Sequence, residues 1–379
     1  MPDTKDARTA LLLIAASEQD ANLYYASHFL APDPFILLQI SGRRFLIMND
    51  LEIDRARSQA RVDEVFSYSR LAAAARQRRA AEPGMAEVID QLCQERGITR
   101  LEVPSNFGVG HAERFRALGY ELSVRPDPLF AERLIKSPDE IAMITQTQRA
   151  TEQAVASAVE LIRQSEIRDG HLFLGGKPLT AEMIKKVINL HLMERECVAQ
   201  HTIVACGRQA CDPHHEGSGP LAAHEPIVMD VFPQHAGTRY YADMTRTVVK
   251  GQASPKLKQM YALVREGQEI AFRLIKPGAD GAAIHQEILR LFEQQGFQTG
   301  ELDGRMQGFF HGTGHGLGLE VHEPPRISAR PDILKEGMVV TVEPGLYYLD
   351  AGGVRIEDLV VVTSDGCRNL TEMPKVLEV

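Results

Sequence analysis

An aspartate interrupts an apolar run that otherwise reads as a buried strand: Asp230 in IVMDVF (227–232). A lone ionised carboxylate in such a place is costly unless it is paired or holds a metal ion. Taken alone, Asp230 is either an exposed acid at a strand end or a ligand that the fold brings to a partner. Four more ionisable residues stand in strand or strand-edge contexts. They are Asp243 in YYADMTRT (240–247), His315 in HGTGHGLGLEVHE (311–323), Glu343 in VVTVEPGLYY (339–348) and Glu357 in GGVRIEDLVVV (352–362). Asp230 and Asp243 are 13 positions apart with His235-Ala236-Gly237 between them, as expected for a hairpin whose two acids face one side. Four carboxylates and an imidazole gathered without cations would repel, and each acid would be driven towards its protonated form. Two divalent ions remove that conflict.

The rest of the chain limits what such a site can belong to. Its 379 residues exceed the usual single-domain range, which predicts two domains. Hydrophobic residues make up 44% and charged residues 25%, enough for a real core, so disorder is not expected. A formal net charge of −9, with no basic run able to follow a phosphate backbone, argues against nucleic acid. The five cysteines, odd in number and irregularly spaced, fit reduced thiols in a cytoplasm rather than a disulfide framework. The early apolar run ALLLIAA (10–16) is too short to span a bilayer and reads as a first strand, so no membrane is expected as a partner.

The pattern changes near residue 135. Before it, short apolar strands alternate with helical stretches, the pattern of a small α/β unit. PFILLQISGRRFLIMND (34–50) reads as a hairpin turning at Ser41-Gly42, and MAEVIDQLCQERGI (85–98) as a helix followed by the strand RLEVPS (100–105). Ser137-Pro138 is an N-cap and first-turn pair opening a long helix over 137–163, the entry to a second domain. A glycine-rich excursion, DGHLFLGGKP (169–178), precedes another helix from Thr180, and two further helices are expected over 254–278 and 280–297.

Other chemistries find no support. The glycines at 312, 314, 316 and 318 do not give the G-x-G-x-x-G of a phosphate cradle, and His322-Glu323 is followed by Arg326 where a zinc-protease helix needs histidine. Cys206, Cys211, His214 and His215 lack the spacing of a zinc knuckle. Ser218 has no nucleophile elbow around it. His285, alone within a helical pattern, reads as structural.

DMTRT (243–247), GHGLGLEVHE (314–323), EPGLYY (343–348) and VRIED (354–358) together resemble the pita-bread metallopeptidases, in particular Xaa-Pro aminopeptidases and prolidases. RLIKSPDEIAMI (133–144) resembles that family's link into its catalytic domain. The resemblance implies an α+β chain: a smaller α/β creatinase-like N-terminal domain over 1–132, then a pita-bread catalytic domain over 133–379. It implies that Asp230 and Asp243 hold one metal and His315 and Glu343 a second, with Asp243 and Glu357 bridging. Glu343, His214 and His322 would be catalytic: Glu343 as proton shuttle, His322 as donor to the developing oxyanion, His214 near the leaving proline. His311, Tyr348 and Arg355 would bind substrate. VFPQH (231–235) stands where the family has a small-residue turn.

Oxygen-rich ligation with one imidazole suits Mn2+, with Co2+ or Zn2+ able to substitute. Such an ion pair lowers the pKa of a shared water. The resemblance thus implies a cytoplasmic, homodimeric exopeptidase acting on peptides with proline in second position, either an Xaa-Pro aminopeptidase or a prolidase limited to dipeptides. A metal-free pita-bread binding protein and a creatinase-like hydrolase are disfavoured by the intact set of five ligands. Methionine aminopeptidase is disfavoured because the N-terminal domain is superfluous to it.

Overall fold

Strand parity organises the N-terminal unit, in a computed structural model that describes residues 8–79 and 82–379. Along Arg8–Ala15, Ala10 and Leu12 pack with Leu71, Val88, Leu92 and Phe115, while Leu11 and Leu13 pack with Leu23, Phe29, Ile53 and Ala56. Neighbouring side chains of a strand point to opposite faces, so an unbroken apolar strand requires helices on both sides of its sheet. The sheet runs Glu64–Ser67, Arg43–Met48, Phe35–Ile40, Arg8–Ala15, Ile98–Pro104, Glu121–Arg125. The hairpin Phe35–Ile40/Arg43–Met48 turns at Ser41 and Gly42, whose φ angles of 49° and 81° are those of a type I′ turn. The helix Met85–Arg96 ends at Gly97, left-handed at φ 66°. The unit boundary falls between Arg133 and Leu134.

The C-terminal unit consists of two similarly built halves, each an antiparallel sheet backed by two helices. In the first half, the strands Ile203–Cys206, Ile227–Val231 and Met244–Val248 form one sheet. Its apolar face meets the helices Pro138–Gln164 and Ala181–Met193 through Val204, Ile227, Met229, Val155, Val159, Ile184 and Ile188. In the second half the order is Glu323–Ile327, Gly314–Gly316, Val339–Val342, Asp358–Val362, Cys367–Asn369. The helices Pro255–Leu274 and Gly281–Gln294 cover it through Met260, Val264, Ile284, Ile288 and Phe292. A separate hairpin, Gly345–Tyr348 with Gly352–Arg355, belongs to the same core through Leu346 and Val354.

The glycine-rich excursion is a three-stranded ribbon, Glu166–Arg168, His171–Leu174 and Lys177–Pro178. It turns at Asp169-Gly170 and Gly175-Gly176, all four at positive φ. VFPQH departs from a simple turn because Gln234–His235 pairs with Cys197–Val198, so the connection between the two aspartate strands carries a small sheet of its own. All five cysteines are free, and among the described residues no helix is long and apolar enough to cross a membrane.

The long helix Pro138–Gln164 opens with a full capping box: Ser137 Oγ accepts from Glu140 N–H at 3.3 Å, and the Glu140 carboxylate accepts from Ser137 N–H at 2.8 Å. Ser137→Ala removes one of these bonds and should destabilise the C-terminal unit by about 1 kcal/mol. A thermal midpoint equal to that of the wild type would show that the box contributes nothing.

Candidate metal centre

Register places the acids. Asp230 lies directly opposite Thr245, so Asp230, Thr245 and Asp243, two residues back along the strand, share one face of the first sheet. In the second half Val342 pairs with Asp358, which brings Glu343, just after the one strand, and Glu357, just before the other, to the same end of the sheet. His315 occupies the middle of Gly314–Gly316. That strand is wedged between its neighbours: a Cβ on Gly314 would fall 2.0 Å from the Thr341 carbonyl oxygen, and one on Gly316 2.2 Å from that of Pro324. Only glycine permits this approach.

All five predicted residues converge. Asp243, His315 and Glu357 each present a ligating atom within 4.8 Å of the others. His315 Nε2 is 3.7 Å from Asp243 Oδ2 and 3.5 Å from Glu343 Oε1. Asp230 joins through its neighbours: Arg355 Nη2 donates to its Oδ2 at 2.7 Å, while its Oδ1 is buried with no hydrogen-bond partner. Thr245 Oγ1 donates to Glu357 Oε2 at 2.8 Å. Gln148, from the long helix, clamps the Asp243 backbone at both its N–H and its carbonyl, 3.2 Å each.

The electrostatics are those of a site short of positive charge. Burial, reinforced by the neighbouring carboxylates, raises Asp243 and Glu357 well above the usual range. Glu343 is pushed up to about 7, chiefly by burial and against the pull of Arg355. Burial, then the nearby His322, lowers His315 to about 3, so its imidazole is neutral. Its Nδ1 donates to the Gly316 carbonyl at 3.1 Å, which leaves the Nε2 lone pair towards Asp243 and Glu343. Hard oxygen donors, one neutral imidazole and an unsatisfied buried carboxylate oxygen fit divalent cations.

The cluster forms the floor of a cavity of about 820 Å³ whose walls include His214, Phe232, Phe310, His311, His322, Arg326 and Arg355. The His322 ring meets the His315 ring edge-on, centroids 4.3 Å apart. The expected substrate-binding residues divide. Arg355 lines the cavity but spends its donors on the protein: Asp230, Thr245 Oγ1 at 3.2 Å and the Tyr347 hydroxyl at 2.9 Å. His311 also faces the cavity, with Nδ1 bonded to the Gly312 carbonyl and Nε2 to the Tyr347 hydroxyl.

Tyr348, expected to bind substrate, does not line the cavity. It points away from the cavity into the core, donating to the Gln298 carbonyl at 2.7 Å and packing edge-on against Phe297. The cause is strand alternation, which turns Tyr347 towards the site and Tyr348 away. Tyr347, Thr245 and Gln148 were missed at the sequence level. For Tyr347 the signal was present, since residues 343, 345 and 347 share a parity, and Gly345 leaves the space that the Tyr347 hydroxyl needs.

The family model for metallopeptidase family M24 matches residues 142–364, more than half of the chain. The chain belongs to metallopeptidase family M24. Among curated M24 relatives, the Xaa-Pro dipeptidase of Pyrococcus furiosus is 34% identical over 248 residues, 65% of each chain. That of Pyrococcus horikoshii is 33% identical over 288 residues, 74% of this chain and 75% of its own. The aligned stretch thus spans about two thirds to three quarters of those relatives. The X-Pro aminopeptidase structure from Thermotoga maritima superposes with a TM-score of 0.81 at 26% identity, covering 98% of both chains. The prolidase from Pyrococcus furiosus gives 0.78 over 97% of both, and at 24% identity speaks to the fold. The two-domain arrangement, an N-terminal domain before a pita-bread catalytic domain, is that of these structures. Family M24 implies divalent metal ions, and the buried acid–imidazole cluster offers the donors.

Repulsion within the cluster predicts a trade between stability and ligation in the metal-free protein. Asp243→Asn keeps the side chain's shape, removes a carboxyl whose ionised form burial and its neighbours disfavour, and should stabilise the metal-free form by on the order of 1 kcal/mol. A lower melting temperature than metal-free wild type would contradict this.

Proposed function

We propose that this M24 protein hydrolyses the peptide bond between an N-terminal residue and proline. The observation that carries the reading is the meeting of Asp230, Asp243, His315, Glu343 and Glu357 on the floor of one cavity, with one Asp230 oxygen left unsatisfied. Asp230 and Asp243 would hold one cation, His315 and Glu343 the other, with Asp243 and Glu357 shared. Mn2+ suits this donor set, with Co2+ or Zn2+ as substitutes. When bound, the cations supply Lewis acidity and favour ionisation of water at neutral pH.

The chain's own residues supply the rest. Glu343, on the cavity floor beside His315, would take a proton from the attacking water and deliver it to the proline nitrogen as the C–N bond breaks. His322, lowered chiefly by burial, stands neutral beside His315 as a donor to the oxyanion. His214 lines the cavity and would meet the proline side of the substrate. Arg355, with its contacts to Asp230, Thr245 and Tyr347, serves to orient ligands rather than to bind substrate directly. A peptide bond before proline has no N–H and a constrained ring, which calls for a dedicated pocket.

The names of the Pyrococcus relatives favour Xaa-Pro dipeptides as substrates, while the Thermotoga neighbour supports longer peptides with proline second. Rates on Xaa-Pro against Xaa-Pro-Xaa discriminate the two; hydrolysis of neither by metal-loaded protein would sink the proposal. A homodimer and a cytoplasmic location belong to the same reading and are tested by sedimentation and fractionation.

Active protein should contain close to two divalent ions per chain, lose activity to a chelator and regain it with Mn2+. Asp243→Ala and Glu357→Ala should each lose metal and activity together. Full activity in a sample with no metal by elemental analysis would refute the ligand assignment. His322→Ala should instead lower kcat by roughly 10²–10³ with both ions retained. Near-normal kcat at full metal content would remove His322 from the reaction.

A further inference from the structure

Lys136 and Glu323 form an ion pair in the interior of the C-terminal unit, their side chains only 1% and 3% exposed. Neither belongs to the acid–imidazole cluster or to the cavity wall. Two charges taken out of water are weak contributors to stability, and an apolar pair of similar volume often serves as well. The position of the pair suggests another use. Glu323 begins the strand Glu323–Ile327 and sits opposite Gly316, next to His315 in the register. His322, immediately before it, faces the cavity, so the two side chains leave the chain on opposite sides. The return from His315 to His322 runs through Gly318, where a Cβ would lie 2.8 Å from Glu323 Oε1 and 3.1 Å from Lys136 Cε. The Gly318 carbonyl in turn accepts from Tyr241 N–H at 2.9 Å. At the other end, Lys136 N–H donates to the Gly337 carbonyl at 2.8 Å, two residues before the strand Val339–Val342 that leads to Glu343.

We propose that Lys136 is a positioning residue for the reaction: its ammonium, buried against Glu323, fixes the turn that carries His322 and so sets where that imidazole stands over His315 and the cavity. The inference rests on the role given to His322 above. Lys136→Met keeps the length of the side chain and removes its charge. It should lower kcat by roughly tenfold or more, in line with the sensitivity of reacting groups to small displacements. KM should change less than about threefold, and metal content should stay at the wild-type level. Because Lys136→Met removes only one charge of the buried pair, Lys136→Met/Glu323→Leu is the companion variant: it removes both charges and should recover the melting temperature without recovering kcat.

A double-mutant cycle with His322→Ala locates the effect. If Lys136 acts through His322, Lys136→Met costs less than about twofold when His322 is already absent. The same loss in both backgrounds, or recovery of kcat along with melting temperature in the paired variant, overturns the proposal. In 15N-histidine-labelled protein the His322 ring signals, assigned by their loss in His322→Ala, should shift in Lys136→Met; unshifted signals also overturn it. Normal kcat in His322→Ala alone would instead overturn the role of His322, and this inference with it.

Discussion

The buried contact between Arg355 and Asp230 is the interaction on which the site depends. Arg355 is the one cation in direct contact with the cluster among the described residues, and every arm of its guanidinium is engaged. Through Nη2 it orients Asp230 so that Oδ1 remains turned away, unbonded; through Nε it holds Thr245, whose hydroxyl hydrogen then goes to Glu357. Through Nη1 it reaches Tyr347 and so His311. These contacts join both sheets, because Asp230 and Thr245 lie on strands of the first and Glu357 immediately precedes the strand Asp358–Val362 of the second. A buried charge pair is a poor source of net stability. Here it places acids whose geometry hydrophobic packing alone would not specify.

A second buried arginine repeats the arrangement behind the cluster. Arg246, 2% exposed, donates to the Glu357 carbonyl at 2.7 Å and to Asp358 Oδ1 at 2.9 Å. Arg246 and Thr245 are neighbours on one strand, so their side chains lie on opposite faces, one towards the acids and one towards the core. The strand Met244–Val248 therefore supports Glu357 from both directions: Thr245 binds the carboxylate and Arg246 the backbone. The conversion of sequence into site at this point needs no loop and no flexible element, only register.

Much of this was legible in the sequence because the two sheet halves follow period-two rules. A carboxylate in IVMDVF, and a glycine on either side of His315, depart from strand preference, and departures of that kind gather at functional sites. The long helix announced itself through Ser137-Pro138, and the hairpin of the N-terminal unit through Ser41-Gly42. What was not legible depends on partners distant in sequence. Gln148 clamps Asp243 from a helix 95 residues earlier, and Thr245 meets Glu357 across 112 residues. Neither has any local signature. Tyr348 differs: of two adjacent tyrosines only the parity of the strand decides which faces the site, and that parity, counted from Glu343 through Gly345, selects Tyr347. The cysteines are free, and burial pushes Cys206 and Cys211 up to about 11, which leaves both thiols protonated.

The charge balance also bears on why two cations suit the cluster better than one. Four carboxylates against the single guanidinium of Arg355 leave three formal negative charges in a buried space. One divalent cation would leave the site still anionic, and it would repel both an ionised nucleophile and the oxyanion that forms when a peptide carbonyl is attacked. Two would leave one positive charge in excess, in surroundings where a charge is worth far more than in water. That excess is released by accepting one negative charge, which is what the transition state of peptide hydrolysis brings. With His311, His315 and His322 all lowered chiefly by burial, no other group in contact with the cluster among the described residues supplies the difference. On the two-cation reading, the count of acids is therefore part of the catalytic design, and losing any one of them shifts the resting charge of the site as well as its ligand set.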